Sequence, residues 1–303
     1  MSQIIEDKII NHLVSKYFLI DIFDKKLIDE NCATRKGKGT HYALRLFKKN
    51  YNYYKNKHEK FYILKFDINK YFYNIDHNVI KNIIKKNIKD NDVLSIINTI
   101  LDSTNKEYVN VTINNLKESE IKKIINSNLN KNDKRNRILE LKNIPLYKKD
   151  KGCPIGNMSS QIIATFYLNE LDHYIKEELK NYVRYMDDGV IMYNDKDYLE
   201  ECLIKINEKL KEYKLVLNKK TRIYLFYEEI EFLGFRFNIV RNKIIMKVTN
   251  KTKNKFKKKI KIMYYKLLND EISYDEYRSV RDSYKGHLKH GNCNELLNHY
   301  III

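Results

Sequence analysis

Apolar positions along this chain recur with two different periods, and the switches between them outline its elements. Ile4, Ile5, Ile9, Ile10, Leu13 and Tyr17 fall at helical spacing and predict one or two amphipathic helices within residues 1–30, packed as core. A further helical run holds Leu44, Leu46 and Phe47. The stretch Phe61–Tyr73, FYILKFDINKYFY, alternates instead. Tyr62, Leu64, Phe66 and Ile68 share one strand face, expected to be the buried one, and Asp67 falls with Lys65 on the other. Helical spacing returns at 78–102 through Val79, Ile80, Ile83, Ile84, Val93, Leu94, Ile96 and Ile97. Residues 104–143 are rich in Lys, Asn, Glu and Ser and predict a surface insertion with two small helices, around Ile121–Ile125 and Ile138–Leu141.

Lys151–Gln161, KGCPIGNMSSQ, predicts a tight loop that ends at Ser159 or Ser160 as a helix N-cap. One long helix should follow, with Ile162, Ile163, Phe166, Leu171, Tyr174, Ile175 and Leu179 as its apolar face. It leads into Tyr182–Tyr193, YVRYMDDGVIMY, two β-rich runs around a centre of Met186, Asp187, Asp188 and Gly189: a hairpin with a carboxylate-bearing turn. After it come an amphipathic helix over Tyr198–Tyr213, a turn at Leu217–Thr221 and a second hairpin at Glu231–Phe237. From Asn250 the chain is helical, with Phe256, Ile260, Met263, Tyr264 and Leu267 in one stripe and Tyr277, Val280 and Tyr284 in another. Lysines fill the remaining faces.

Charge changes the picture. Lys and Arg outnumber Asp and Glu by 58 to 39 in 303 residues, a net +19, which favours a polyanionic partner. Lys, Asn, Ile and Tyr are all abundant beside only 2 Pro and no Trp, so part of the lysine excess can be a general compositional bias. Cys32, Cys153, Cys202 and Cys293 lack CxxC spacing and predict reduced thiols in a cytoplasmic protein. The N-terminus has no signal-peptide order, and no apolar run approaches the about 18 residues of a membrane span.

Four places carry candidate chemistry. Adjacent ionised carboxylates at Asp187 and Asp188 repel each other. A hard divalent cation resolves the conflict, although an Asp-Gly turn that merely supplies a positive φ is the plainer reading. Asp67 ends an apolar strand and could equally be a strand-end cap. If the strands pair, three carboxylates meet on one sheet edge, which can hold two Mg²⁺ about 3.5–4 Å apart for in-line phosphoryl transfer. The basic loop Arg35-Lys36-Gly37-Lys38-Gly39-Thr40 suits phosphate, but lacks Walker A spacing, and taken alone a solvated basic turn is the better reading. His287, His290, Cys293 and His299 cluster near the end without established zinc spacing, so helix packing or nucleic-acid contact is the preferred reading.

Taken in order from about residue 31 to 292, these motifs resemble a bacterial reverse transcriptase, closest to the diversity-generating retroelement type. Tyr185-Met186-Asp187-Asp188 is similar to the YxDD motif, and Phe66-Asp67-Ile68-Asn69-Lys70-Tyr71-Phe72 to the motif of the first catalytic carboxylate. The resemblance implies an α+β right-hand polymerase, with fingers and palm over 1–248 and a basic helical thumb over 249–303. Asp67, Asp187 and Asp188 would be catalytic and, with Ile68, would form the site of two Mg²⁺, for which Mn²⁺ can substitute. Arg35, Lys36, Lys38, Phe72, Ile155, Gly156, Gln161 and Lys220 would contact the incoming nucleotide, with Phe72 excluding ribonucleotides. Tyr185, Met186, Leu233, Gly234, Lys257, Lys258 and His287 would contact primer and template.

The loop decides the subtype. Ile155 stands where most relatives carry glutamine, and Gln161 where they carry proline; Ser283–His290 is similar to the retroelement thumb motif. The implied activity is RNA-directed synthesis of cDNA, error-prone at template adenines. Implied partners are an RNA template, a DNA or RNA primer, dNTPs and a small basic accessory protein, with no membrane. In 303 residues no RNase H, endonuclease or maturase extension is expected. The alternatives are a phage-defence reverse transcriptase of the abortive-infection type and, more remotely, a non-catalytic RNA-binding protein.

Overall fold

The computed structural model describes residues 5–178, 181–240 and 243–293. Helices combine with two antiparallel sheets, giving an α+β fold. The first sheet contains β1 (Tyr62–Asp67), β2 (Tyr182–Tyr185), β3 (Asp188–Tyr193) and β4 (Arg222–Leu225), in the order β2-β3-β1-β4. The chain leaves β1, traverses helices and the Lys151–Gln161 loop, and returns beside it only as the β2–β3 hairpin. The second sheet is the meander β5 (Ile230–Phe232), β6 (Phe235–Val240) and β7 (Lys243–Val248). Leu233 and Gly234 join β5 to β6 with φ of 50° and 81°, the pair of positive values that a two-residue primed turn requires.

Alternation in β1 predicts one buried face, yet both are covered. Leu64, Phe66 and Ile68 pack in one core with Ile80, Ile84, Ile163, Phe166 and Ile191. Ile63 points to the opposite face and is also fully buried, in a second core with Phe47, Tyr51, Val190, Met192 and Phe232. The helix Thr40–Lys57 supplies that cover through Ala43, Leu44, Phe47, Tyr51 and Tyr54. Phe256 and Ile260 of the helix Asn250–Leu268, and Leu288 of Tyr274–Leu288, join the same second core.

Four further expectations need correction. The helix Ile5–Val14 does not bury its apolar stripe: Ile5, Ile9, Ile10, Leu13 and Tyr17 are exposed, whereas Asn11, Val14, Ser15 and Leu19 face inward. A polar bond docks it, because Ser159 Oγ donates to Asn11 Oδ1 at 2.5 Å, both residues being buried. Ser159 and Ser160 therefore lie inside the helix Met158–Tyr167; its N-cap is Asn157, which makes no side-chain cap bond. The predicted long helix is two, Met158–Tyr167 and Asn169–Glu178, with Leu168 out of helical conformation between them; Leu179 lies outside the described residues. The insertion is more regular than expected: Glu107–Ile125 and Lys131–Lys142 form full helices that bury no residue. Among the described residues, no helix is long and apolar enough to cross a membrane.

Candidate active site

Strand register brings the carboxylates together. β1 and β3 pair antiparallel with Asp67 directly opposite Asp188, and the turn Met186–Asp187 closes β2 onto β3 through the Tyr185–Asp188 pair. The Ile68 backbone N–H donates to the Asp187 carbonyl at 3.3 Å, so Asp67, Ile68, Asp187 and Asp188 occupy one sheet edge. Met186, at φ 56°, bears the positive φ of this turn. Gly189 lies inside β3, opposite Phe66, and a Cβ there would come within 2.1 Å of Phe66 Cζ. The glycine is thus required by a ring packed on the strand, and the reading of it as a turn residue is corrected.

The electrostatics at this edge are those of crowded like charges. Burial pushes the Asp187 carboxyl up to about 6, with Asp188 and Asp67 adding repulsion. Asp67 is raised by burial and then by Asp188. Two cations offset part of this: Lys65 Nζ lies 3.6 Å from Asp188 Oδ1, and Lys220 lowers the Asp67 carboxyl. Hard carboxylate oxygens crowded on one sheet edge are donors a divalent cation favours, so Asp67, Asp187 and Asp188 fit Mg²⁺. Among the described residues, no three His, Cys, Asp or Glu side chains by themselves converge into a metal-holding group.

Two braces around the edge have no motif to announce them. Arg184, fully buried in β2, grips Asp172 with Nε and Nη2, each 2.6 Å from a carboxylate oxygen, and its Nη1 donates to the Met186 carbonyl at 2.6 Å. Tyr182 Oη and Asn31 Nδ2 also donate to Asp172. The turn is thereby tied to the helix Asn169–Glu178. On the other side, the Asn218 N–H donates to the Asp67 carbonyl at 2.7 Å, and the Asp67 N–H donates to Thr221 Oγ1 at 3.3 Å. Arg184 could have been suspected from a charge inside the apolar run YVRY; Asp172 and Thr221 carry no comparable signal.

The remaining predicted residues divide. Phe72, partly buried in the short helix Tyr71–Asn74, is stitched to the Lys151–Gln161 loop, whose Cys153 N–H donates to the Phe72 carbonyl at 2.8 Å. In that loop Ile155, Gly156 and Gln161 are exposed. Met186 Sδ accepts from Thr165 Oγ1, which also bonds Thr34 Oγ1, so the Arg35–Thr40 loop begins beside the turn. Within it Lys36 is exposed and Lys38 pairs with Asp29 at 2.9 Å. Arg35 is committed inward, bonding Asp24 and the carbonyls of Ile28 and Asn31. Lys220 is exposed in the turn docked on Asp67.

Leu233, Gly234, Lys257, Lys258 and His287 belong to the second sheet and its helices. The Gly234 carbonyl accepts from the Thr249 N–H at 2.9 Å, fixing the hairpin tip to the start of the helix Asn250–Leu268. His287 packs on Phe235 and near His41, whose ring stacks on His290 at 3.5 Å between centroids. His299 lies outside the described residues.

The chain matches the family model described as Reverse transcriptase (RNA-dependent DNA polymerase) over residues 3–237. No curated protein matches it. Among solved structures, apo telomerase from Candida tropicalis truncated from the C-terminal domain is 15% identical, at TM-score 0.46, over 78% of this chain and 44% of that one. A second apo telomerase from Candida tropicalis gives 15%, 0.45, 77% and 40%. Telomerase from Candida albicans in complex with a TWJ fragment of telomeric RNA gives 15%, 0.43, 96% and 47%. This chain spans less than half the length of each.

Proposed function

Because this chain belongs to the reverse transcriptase family, whose members are nucleotidyltransferases, we propose that it is an RNA-directed DNA polymerase with Asp67, Asp187 and Asp188 at its catalytic centre. The observation that carries the reading is the register that sets Asp67 opposite Asp188 with Asp187 on the adjoining turn. Reverse transcriptases generally use divalent metals; here Asp67, Asp187, Asp188 and the Ile68 backbone would hold two Mg²⁺, which, when bound, acidify the primer 3′-hydroxyl and neutralise the departing pyrophosphate. The chain's own residues do the rest. Arg184 and the Asn218–Thr221 turn fix the carboxylates against their mutual repulsion, so little reorganisation remains at reaction. Lys220 and Lys36 are exposed cations for the triphosphate; Phe72 stands against the sugar 2′ position. Arg35 shapes its loop through Asp24 and Ile28, a positioning part.

We assign residues 1–248 to fingers and palm and 249–303 to a thumb that holds duplex through Lys257, Lys258 and His287, with Leu233 and Gly234 at the primer end. Tyr185 and Met186 would meet the primer terminus. Ile155 and Gly156 would face the nascent base pair, with Gln161 nearby. An isoleucine there offers no hydrogen bond, which favours an error-prone enzyme of the diversity-generating type. Template RNA, primer, dNTPs and a small basic accessory protein complete this reading. The test is primer extension on a defined RNA template with Mg²⁺ and dNTPs, followed by product sequencing. Substitutions clustered opposite template adenines support the reading; faithful products, or DNA made without template, favour the phage-defence alternative. Full extension by Asp187→Asn would overturn the catalytic assignment.

A further inference from the structure

The surface insertion and the loop carrying Ile155 meet at one side chain, Tyr147. Its backbone is pinned on both sides by Asn110 of the helix Glu107–Ile125: the Tyr147 N–H donates to Asn110 Oδ1 at 3.0 Å, and Asn110 Nδ2 donates to the Tyr147 carbonyl at 2.9 Å. Its phenol then reaches the loop. Tyr147 Oη donates to the Cys153 carbonyl at 3.1 Å and accepts from the Ile155 N–H at 3.3 Å, bracketing Pro154. The ring lies on Gly152, at φ 94°, where a Cβ would come within 2.5 Å of Tyr147 Cδ1. Its other neighbour is Tyr73, 5.0 Å away between centroids, next to Phe72. Burial pushes the phenol up to about 12, so it stays a donor.

These bonds have an asymmetry that points to use. Gly152 and Cys153 are already held by backbone bonds to Ile75 and Phe72, each at 2.8 Å, and His77 Nε2 bonds the Gly152 carbonyl. From Pro154 to Gly156 the chain is more open, and Ile155 is 52% exposed. At Ile155 the bond to Tyr147 Oη is the backbone anchor the geometry provides. One hydroxyl therefore sets where the Ile155 side chain and the Gly156 backbone stand. We propose that Tyr147 is a positioning residue for nucleotide selection, through which the insertion Glu107–Lys142 holds the Ile155–Gly156 corner against the nascent pair. The inference rests on the reading that this corner faces the incoming nucleotide.

Two variants separate the inference from that reading. Tyr147→Phe keeps the ring on Gly152 and removes both phenol bonds; Ile155→Gln changes the corner itself. Single-nucleotide incorporation on an RNA template, with kcat and KM resolved, and thermal melting are measured for both. Tyr147→Phe is expected to raise the dNTP KM about three- to tenfold with kcat within about twofold, the scale of the lost hydrogen bond at the Ile155 N–H, since Cys153 keeps its backbone bond to Phe72, and to shift the error spectrum. Its melting temperature should fall by no more than a few degrees. Asn110→Ala, releasing Tyr147 from the insertion, should move KM the same way. If Ile155→Gln alters KM or errors and Tyr147→Phe alters only melting temperature, or nothing, the proposal is overturned. If Ile155→Gln itself changes neither, the reading of the corner fails and the proposal with it.

Discussion

A carboxyl buried beside two others keeps its proton to unusually high pH, and Asp187 does so to about 6 from an ordinary 3.8. The folded, metal-free chain therefore binds more protons than the unfolded chain between those values. Stability is greatest below the window, falls as pH rises through it and stays reduced above. Asp187→Asn removes the charge and keeps the shape. In metal-free buffer near about pH 8 it should be more stable than wild type by roughly 1–2 kcal/mol, a difference that vanishes below about pH 4. Melting with and without MgCl₂ checks this: wild type should gain stability from the metal and the variant should gain little. A variant less stable than wild type without metal would refute the carboxylate crowding. Phe72 gives a second test at this scale. If Phe72 stands against the sugar 2′ position as proposed, Phe72→Ala should improve ribonucleotide use by at least about tenfold relative to dNTPs in a competition assay, without touching the carboxylates.

What holds these side chains in place is a property of elements, and here the limits of sequence legibility show. The YVRYMDDGVIMY hairpin was legible because two β-rich runs around a polar centre are a local signal. The role of Gly189 was not, since its reason is the Phe66 ring on a strand far away in sequence, visible only once β1 pairs with β3. Likewise Arg184 and Asp172 meet only in the folded chain. The insertion helices were underestimated because, burying nothing, they show apolar periodicity over short stretches alone. Gly189→Ala should force Phe66 or the strand aside at a cost of about 1–3 kcal/mol, and extension should drop sharply because Asp67 and Asp188 lose register. Urea unfolding and kcat measure the two effects. Adding Phe66→Leu to Gly189→Ala should restore part of both; no recovery would mean that the ring is not the constraint. Arg184→Leu should cost about 3–5 kcal/mol, since Asp172 is left as an uncompensated buried charge.

At the scale of the molecule, a net charge of +19 sets how the chain meets a polyanion, but charge alone does not say where. The first face was misjudged from sequence for a related reason: helical spacing identifies an apolar stripe, not the side that docks, and Ile5, Ile9 and Leu13 face solvent while Asn11 faces in. The basic helix Asn250–Leu268 is better determined. Phe256, Ile260 and Met263 fix its inner side, so Lys258, Lys259 and Lys261 necessarily point outward. If these lysines contact duplex phosphates, binding is driven by counterion release, and affinity must fall along a line against the logarithm of salt. With about four phosphates neutralised, primer–template affinity should weaken roughly a hundredfold between about 50 and 200 mM salt. Replacing Lys258 and Lys261 together by Gln should lower that slope by about two, and do so equally for templates of different sequence, because phosphates carry no base identity. Fluorescence anisotropy across a salt series measures both quantities. A slope unchanged by the double substitution would remove this helix from the duplex-binding surface, and the excess of lysine there would then be composition, not contact.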